Sequence, residues 1–194
     1  QFFSTLSLSN VNYYGNLIVG ENADLTLQEL RDVGFDAILV TTGAQGTKWL
    51  GLPGEDLKGS YHAKDLVYHY NQLPPYSNKE FHIGKKVAII GVGNVMMDIA
   101  RYLITEKQVE EVTAIARRGP AEVKFTKKEL EYVVKNLDMD DYMREINRVS
   151  SLMTSLGQNP MESVGFIQEA LPNAEETNSE SVFRIKFLAS PVKI

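Results

Sequence analysis

The chain has 194 residues, room for one ordinary domain or for one domain with part of another, and its 43% hydrophobic and 23% charged residues mark it as globular. A formal net charge of −5 lacks the basic face that nucleic-acid binding needs, and no run approaches the ~20 apolar residues of a membrane helix, so neither partner is expected. The absence of cysteine excludes a CxxC redox pair, a thiol nucleophile and thiolate ligation of zinc or an iron–sulfur cluster within these residues.

In chain order, Gln1-Phe2-Phe3-Ser4 has neither an initiator Met nor the basic, apolar, small-residue progression of a signal peptide, and reads as a point inside a longer protein. Short apolar alternations follow, among them Tyr13-Tyr14-Gly15-Asn16-Leu17-Ile18-Val19-Gly20. Thr26 and Glu29 fit a capping box that starts a short helix. Asp36-Ala37-Ile38-Leu39-Val40-Thr41-Thr42-Gly43 reads as a buried strand running into a glycine. From Gln45 to Asn78 the text is loop-rich, with Leu52-Pro53-Gly54-Glu55-Asp56, Lys58-Gly59 and Pro74-Pro75, and one short helix over 63–72. From His82 the pattern alternates: strand 86–91, helix 94–105, strand 112–116, a Gly119-Pro120 break, and helix 127–136 capped by Thr126 with Glu129. A further helix, roughly 139–156, spaces Met139, Tyr142, Met143, Ile146, Val149, Leu152 and Met153 as a core stripe. The acidic, serine-rich 174–181 leads to a last strand at 182–188. A complete doubly wound unit has more strands, so this one is expected to lack its C-terminal part.

The most informative stretch is Gly91-Val92-Gly93-Asn94-Val95-Met96, lying between an apolar strand run, Lys86-Val87-Ala88-Ile89-Ile90, and a helical pattern. A glycine turn there lets backbone approach a pyrophosphate, which then faces the positive end of the helix. The end of the following strand selects the nucleotide. An acidic residue suits the ribose hydroxyls of NAD, whereas arginines pair with the 2′-phosphate of NADP. The chain has Arg117-Arg118-Gly119 at that point and no Asp or Glu, so it reads as an NADP(H) site. Asn94 also fits a helix N-cap, and Arg117 and Arg118 also fit a solvated cationic pair, which strand alternation need not turn together toward one phosphate. His62, His69 and His82 have no metal-ligand spacing, and no metal site is expected. Trp49 and Tyr61 read as aromatic packing in the connecting region.

The motifs Tyr14-Gly15-Asn16, Thr42-Gly43, Leu52-Pro53-Gly54-Glu55, Tyr70-Asn71-x-Leu73-Pro74, Gly91-x-Gly93-Asn94-Val95-x-x-Asp98-x-Ala100-Arg101, Arg117-Arg118-Gly119-Pro120 and Phe125-Thr126-x-Lys128-Glu129-Leu130 occur in one order. Together, from about Tyr13 to at least Leu137, they resemble the central part of adrenodoxin reductase and its bacterial ferredoxin–NADP reductase relatives, and more loosely the small flavoprotein subunit of glutamate synthase. The resemblance implies an α/β fold: a truncated, Rossmann-like parallel sheet as the NADP-binding domain over 82–194, joined by a connecting segment over 45–81 to 1–44, the tail of a discontinuous FAD-binding domain. It implies NADP and FAD as cofactors, the flavin site being largely outside these residues, and an iron–sulfur electron-transfer protein as partner. The function implied is hydride passage between NADPH and flavin, with no catalytic residue in this piece and with little activity expected of it alone. An NADPH-input module of a glutamate synthase-type complex and a non-catalytic dinucleotide-binding domain are the alternatives. A cytoplasmic protein is expected, with the mitochondrial matrix as the other compartment.

The resemblance puts Gly91, Gly93, Asn94, Val95, Arg117 and Arg118 on the cofactor, with Asn94 near the pyrophosphate. It puts Glu129 near the nicotinamide end, whereas the local pattern alone makes Glu129 the return arm of a capping box. Asp98 reads as a partner of Arg101 on one helix. Met96 departs from the small residue usual at the sixth motif position, where close helix–strand packing is at stake.

Overall fold

A computed structural model describes residues 2–44 and 46–194, divided into two compact units, Gln1–Gly46 and Thr47–Ile194. The start of the expected connecting segment, Gln45, lies outside the described residues, and from Thr47 onward that segment packs with the larger unit.

In the smaller unit, α1 spans Phe2–Leu6 and α2 spans Leu27–Asp32. The capping box of α2 is complete: Thr26 Oγ1 accepts from the Glu29 N–H at 3.1 Å, and Glu29 Oε2 accepts from the Thr26 N–H at 2.8 Å. Hydrogen bonds from the backbone and then the side chain of Thr26 hold the Glu29 carboxyl below its ordinary pKa. The strand expected over 36–43 does not form. Leu39 is 86% exposed and Val40 69% exposed, and no described segment pairs with them. A strand exists only through a neighbour's hydrogen bonds, so strand-type sequence without a neighbour stays extended chain. The alternation at 13–20 likewise yields one isolated bridge, Val19 to Leu25.

In the larger unit, α3 spans Ala63–Tyr70 and leads to a parallel sheet of β1 (Lys86–Ile90), β2 (Glu111–Ile115) and β3 (Val182–Lys186), in that order. The register matches Ile90 with Ile115 and Ile115 with Lys186, so the three strands end at one edge. Parallel strands need crossovers, and α4 (Asn94–Thr105) supplies the first. Met96, Met97, Ile99, Ala100, Leu103 and Ile104 recur at helical spacing and are all buried, giving α4 one apolar face.

The second crossover carries α5 (Lys127–Glu131), α6 (Met139–Ser155) and α7 (Met161–Ala170). The helix expected over 127–136 breaks after Glu131, because Val133 leaves the helical region at φ −131° and a 3₁₀ turn follows at Val134–Asn136. Both valines are buried, so packing overrides the local period. The α7 helix was not legible in the sequence: Gly165 interrupts its pattern, and Pro160 and Pro172 flank it. It buries Val164, Ile167 and Ala170, and its Phe166 ring lies 6.0 Å from Phe125.

Helix α6 presents Tyr142, Ile146, Val149 and Met153 to the core, as the stripe predicted, but Leu152 is 53% exposed. Charge also fixes it to β3. Glu145, 5% exposed, accepts from Arg148 at 2.6 Å and from the Phe187 N–H at 2.8 Å. Burial pulls the Glu145 pKa up, but Arg148, the Phe187 N–H and Lys186 outweigh it and hold the group below the ordinary carboxylate value. Lys186 meets Asp141 at 2.9 Å, and Arg184 meets Asp138 at 3.0 Å and also Glu111. No helix among the described residues is long and apolar enough to cross a membrane.

Adjacent residues on α6 test this packing. Met153→Ala empties a site only 1% exposed and should cost about 2–5 kcal/mol. Leu152→Ala should stay within about 0.5 kcal/mol. Urea midpoints of the two variants check the contrast, and equal losses would place the stripe wrongly on the helix.

Candidate functional site

The C-terminal edge of the sheet gathers the motif residues. Strand β1 ends at Ile90, and the Gly91 N–H donates to Ile115 O at 2.9 Å, extending the ladder one step. Gly91 then turns at φ +123°, a conformation that favours glycine. Gly93 is different. Its φ of −114° and ψ of −178° suit any residue, and a Cβ built there meets no protein atom within 4 Å. Neither backbone strain nor packing within this chain calls for glycine at that position.

Gly93 is the cap of α4 and can offer no side chain to its first turn, which also contains no acidic residue. A twelve-residue helix therefore points its positive end outward without a side-chain cap. Asn94 is the first helical residue rather than the cap. Its Oδ1 accepts from the Thr126 N–H at 2.8 Å, tying the turn to the segment before α5. A second tie lies two residues earlier, where the Lys124 N–H donates to Val92 O at 3.2 Å and Gly93 bridges Lys124 in parallel. Val95 is exposed, whereas Met96 is 3% exposed and packs inward, so the larger residue at the sixth motif position is accommodated in the core.

Arg117 and Arg118 follow β2 at the same edge. The chain after β3 clamps them: the Leu188 N–H donates to Arg118 O at 3.2 Å and the Ala189 N–H to Ala116 O at 2.9 Å. Both arginine side chains are exposed, and among the described residues neither enters an ion pair. The next acid along the chain, Glu122, is turned back to accept from the Gly119 N–H at 3.2 Å.

Glu129 is not the return arm of a capping box. Thr126 Oγ1 does accept from the Glu129 N–H at 3.4 Å, but the Thr126 N–H is already committed to Asn94. The Glu129 carboxyl instead stands near Asp98 of α4, close enough for that charge to act on it. Partial burial and then the nearby Asp98 charge raise its pKa, against smaller opposing effects of Lys128 and Arg101. Among the described residues Asp98 forms no ion pair with Arg101. Arg101 lies 3.8 Å over the Tyr132 ring and 3.7 Å from Glu175. A cleft of about 520 Å³ along this flank of α4 is lined by Tyr70, Asp98, Arg101, Tyr102 and Tyr132, and no residue of 91–95 reaches it.

His62 meets Trp49 edge-on at 4.5 Å, His69 Nδ1 lies 3.0 Å from Tyr76 O, and no metal-binding group occurs among the described residues. Tyr61 packs against Phe81 with its ring tilted by 60° at 4.8 Å, and its hydroxyl accepts from the His82 N–H at 2.9 Å.

No family model matches the chain. The mitochondrial NADPH:adrenodoxin oxidoreductase of Salvelinus fontinalis is 29% identical over an alignment of 222 residues that takes in all of this chain and 44% of the relative. The Arabidopsis thaliana protein of that name is 34% identical over 160 residues, covering 71% of this chain and 32% of the relative. The NADPH-ferredoxin reductase FprA of Mycobacterium leprae is 29% identical over all of this chain and 47% of its own length. A Mycobacterium tuberculosis FprA structure in complex with NADPH superposes with a TM-score of 0.70 at 25% identity, over 100% of this chain and 47% of that one. The chain is homologous to adrenodoxin reductase and FprA. It spans less than half the length of these relatives. The sheet edge with its glycine turn and arginine pair thus lies in a fold shared with an FprA solved in complex with NADPH.

The Glu129–Asp98 contact has a pH signature. A carboxyl whose pKa is higher folded than unfolded stabilises the fold below its unfolded value of 4.5, and that stability is lost as pH rises through the folded value. Glu129→Gln should therefore melt higher than the parent at pH 7, the difference disappearing below pH 4.5. Thermal melts across that range check the sign, and a Gln variant less stable at pH 7 would restore the capping role.

Proposed function

We propose that the protein is the NADP(H)-binding part of an FAD-dependent oxidoreductase that passes hydride between NADPH and flavin, and then electrons to a ferredoxin-type iron–sulfur partner. Gly93 carries this reading. Nothing in the chain itself requires glycine there, whereas a pyrophosphate lying against the turn does. The uncapped start of α4 and two unpaired guanidinium groups match the charge pattern of NADP(H), a pyrophosphate at one end and a 2′-phosphate beside the adenosine ribose. With Glu122 bonded back to Gly119, no carboxylate near the end of β2 is turned toward a bare ribose diol.

When bound, the nicotinamide supplies the hydride, and the task of this chain is to hold and orient the dinucleotide. Gly91 and Gly93 admit the pyrophosphate, Asn94 fixes the turn against Thr126, Val95 opens the helix beside it, and Arg117 and Arg118 take the 2′-phosphate. Glu129, on the helix that the Thr126–Asn94 bond holds beside the turn, is the polar group assigned to the nicotinamide end. The domain reading keeps 82–194 as the NADP unit, 45–81 as its connection and 1–44 as the tail of an FAD domain. The exposed, strand-type 36–43 suits a place in a further sheet. The described residues of that smaller unit offer no second glycine turn after a strand, so flavin phosphates would be held by residues other than these.

Titration calorimetry of NADP⁺ and NAD⁺ side by side on the full-length protein tests the reading. The wild type should prefer NADP⁺. Arg117→Ala or Arg118→Ala should weaken NADP⁺ by about 1.5–3 kcal/mol while leaving NAD⁺ nearly unchanged. Equal loss for both nucleotides would assign the arginines to the fold or the pyrophosphate.

Gly93→Ala separates ligand space from stability. With an open position and an ordinary φ, it should stay within about 1 kcal/mol of the parent, the poorer N-cap opposing the smaller unfolded-state freedom, yet lose both nucleotides. A folded Gly93→Ala protein with undiminished affinity would remove the turn from the site.

A further inference from the structure

We infer that Lys124 is a further phosphate-binding residue of this site, its ammonium closing over the pyrophosphate of the bound dinucleotide. The inference rests on the dinucleotide reading above and adds a cation that lies well outside the glycine motif. Three observations support it. The backbone of Lys124 is pinned beside the turn, its N–H donating to Val92 O at 3.2 Å while the residue bridges Gly93 in parallel. The next tie, Thr126 N–H to Asn94 Oδ1 at 2.8 Å, stops the segment from swinging away. Between the ties, Phe125 is buried against Phe166, so in this extended stretch Lys124 faces the opposite way, and it is exposed.

Its charge has no other evident use. Among the described residues Lys124 enters no ion pair, although the chain has more acids than bases, and nearby Lys127 is drawn to Glu169 at 3.7 Å. A lysine stem is long and flexible, and its ammonium is a compact point charge, suited to a phosphate it need not grip bidentately. The partner strand decides which phosphate. Lys124 adjoins the turn after β1, where the pyrophosphate lies, while the arginines hang from the end of β2. Lys124 should thus raise affinity for NADP⁺ and NAD⁺ alike and take no part in choosing between them.

The test is Lys124→Gln in the full-length protein, titrated with NADP⁺, NAD⁺ and adenosine 2′-monophosphate, which lacks the pyrophosphate. Lys124→Gln should weaken both dinucleotides about tenfold, ~1.4 kcal/mol, and leave the monophosphate unchanged. The loss should shrink at high salt, and Lys124→Arg should recover most of the affinity. Lys86→Gln, at the opposite end of β1, is the control and should bind as the wild type. Unchanged dinucleotide affinity in a folded Lys124→Gln protein overturns the proposal, as does a loss confined to NADP⁺ or shared by the monophosphate. If the wild type binds neither dinucleotide, the dinucleotide reading itself falls; if it binds and only the Lys124 variant is silent, that reading stands without Lys124.

Discussion

Parallel pairing of β1, β2 and β3 is the constraint on which the remaining features depend. Because Ile90 is opposite Ile115 and Ile115 opposite Lys186, the strands stop together, and whatever follows each strand arrives at one edge. The glycine turn, the two arginines and the clamp from Leu188 and Ala189 share that edge for this reason. Slipping a strand by one residue would exchange its buried and exposed faces, so the alternating burial of β2 and β3 guards the register. Site geometry and core packing are here the same problem. A change in either alters where the cations stand relative to the turn.

Two ties then fasten the segment before α5 to that edge. Val92 and Asn94 receive the Lys124 and Thr126 amides, which brings the start of α5 against the start of α4 although Asn94 and Thr126 are thirty-two residues apart. The consequence reaches Glu129. With the Thr126 amide taken by Asn94, the Glu129 carboxyl has no return bond to make, and it stands instead where partial burial and then the Asp98 charge raise its pKa.

The sheet, α4, α6 and the glycine turn were legible because their signals are local: apolar runs bounded by glycine, and apolar residues at helical spacing. The element bounds of α4 agree with the sequence reading to the residue. Long-range facts were not legible. That Asn94 serves Thr126, that Lys124 adjoins Gly93 and that Asp98 meets Glu129 are products of folding, with no signature in spacing. Capping shows the limit most clearly. Thr26-x-x-Glu29 and Thr126-x-x-Glu129 carry one pattern, yet only the first closes both bonds, because only the second cap has a competitor for its amide. The strand read at 36–43 failed for the converse reason, its propensity being correct and its neighbour missing.

That same segment has a bearing on handling the protein. Ile38-Leu39-Val40 combines β-branched and long aliphatic side chains without a charge, and Leu39 and Val40 are open to solvent. Uncovered backbone of this composition is a template for intermolecular cross-β pairing, which natural sheets suppress with edge lysines, prolines or bulges. No such gatekeeper interrupts Ala37 to Thr42. Self-association through this stretch would be second order in protein, growing with concentration while folding stability stayed the same.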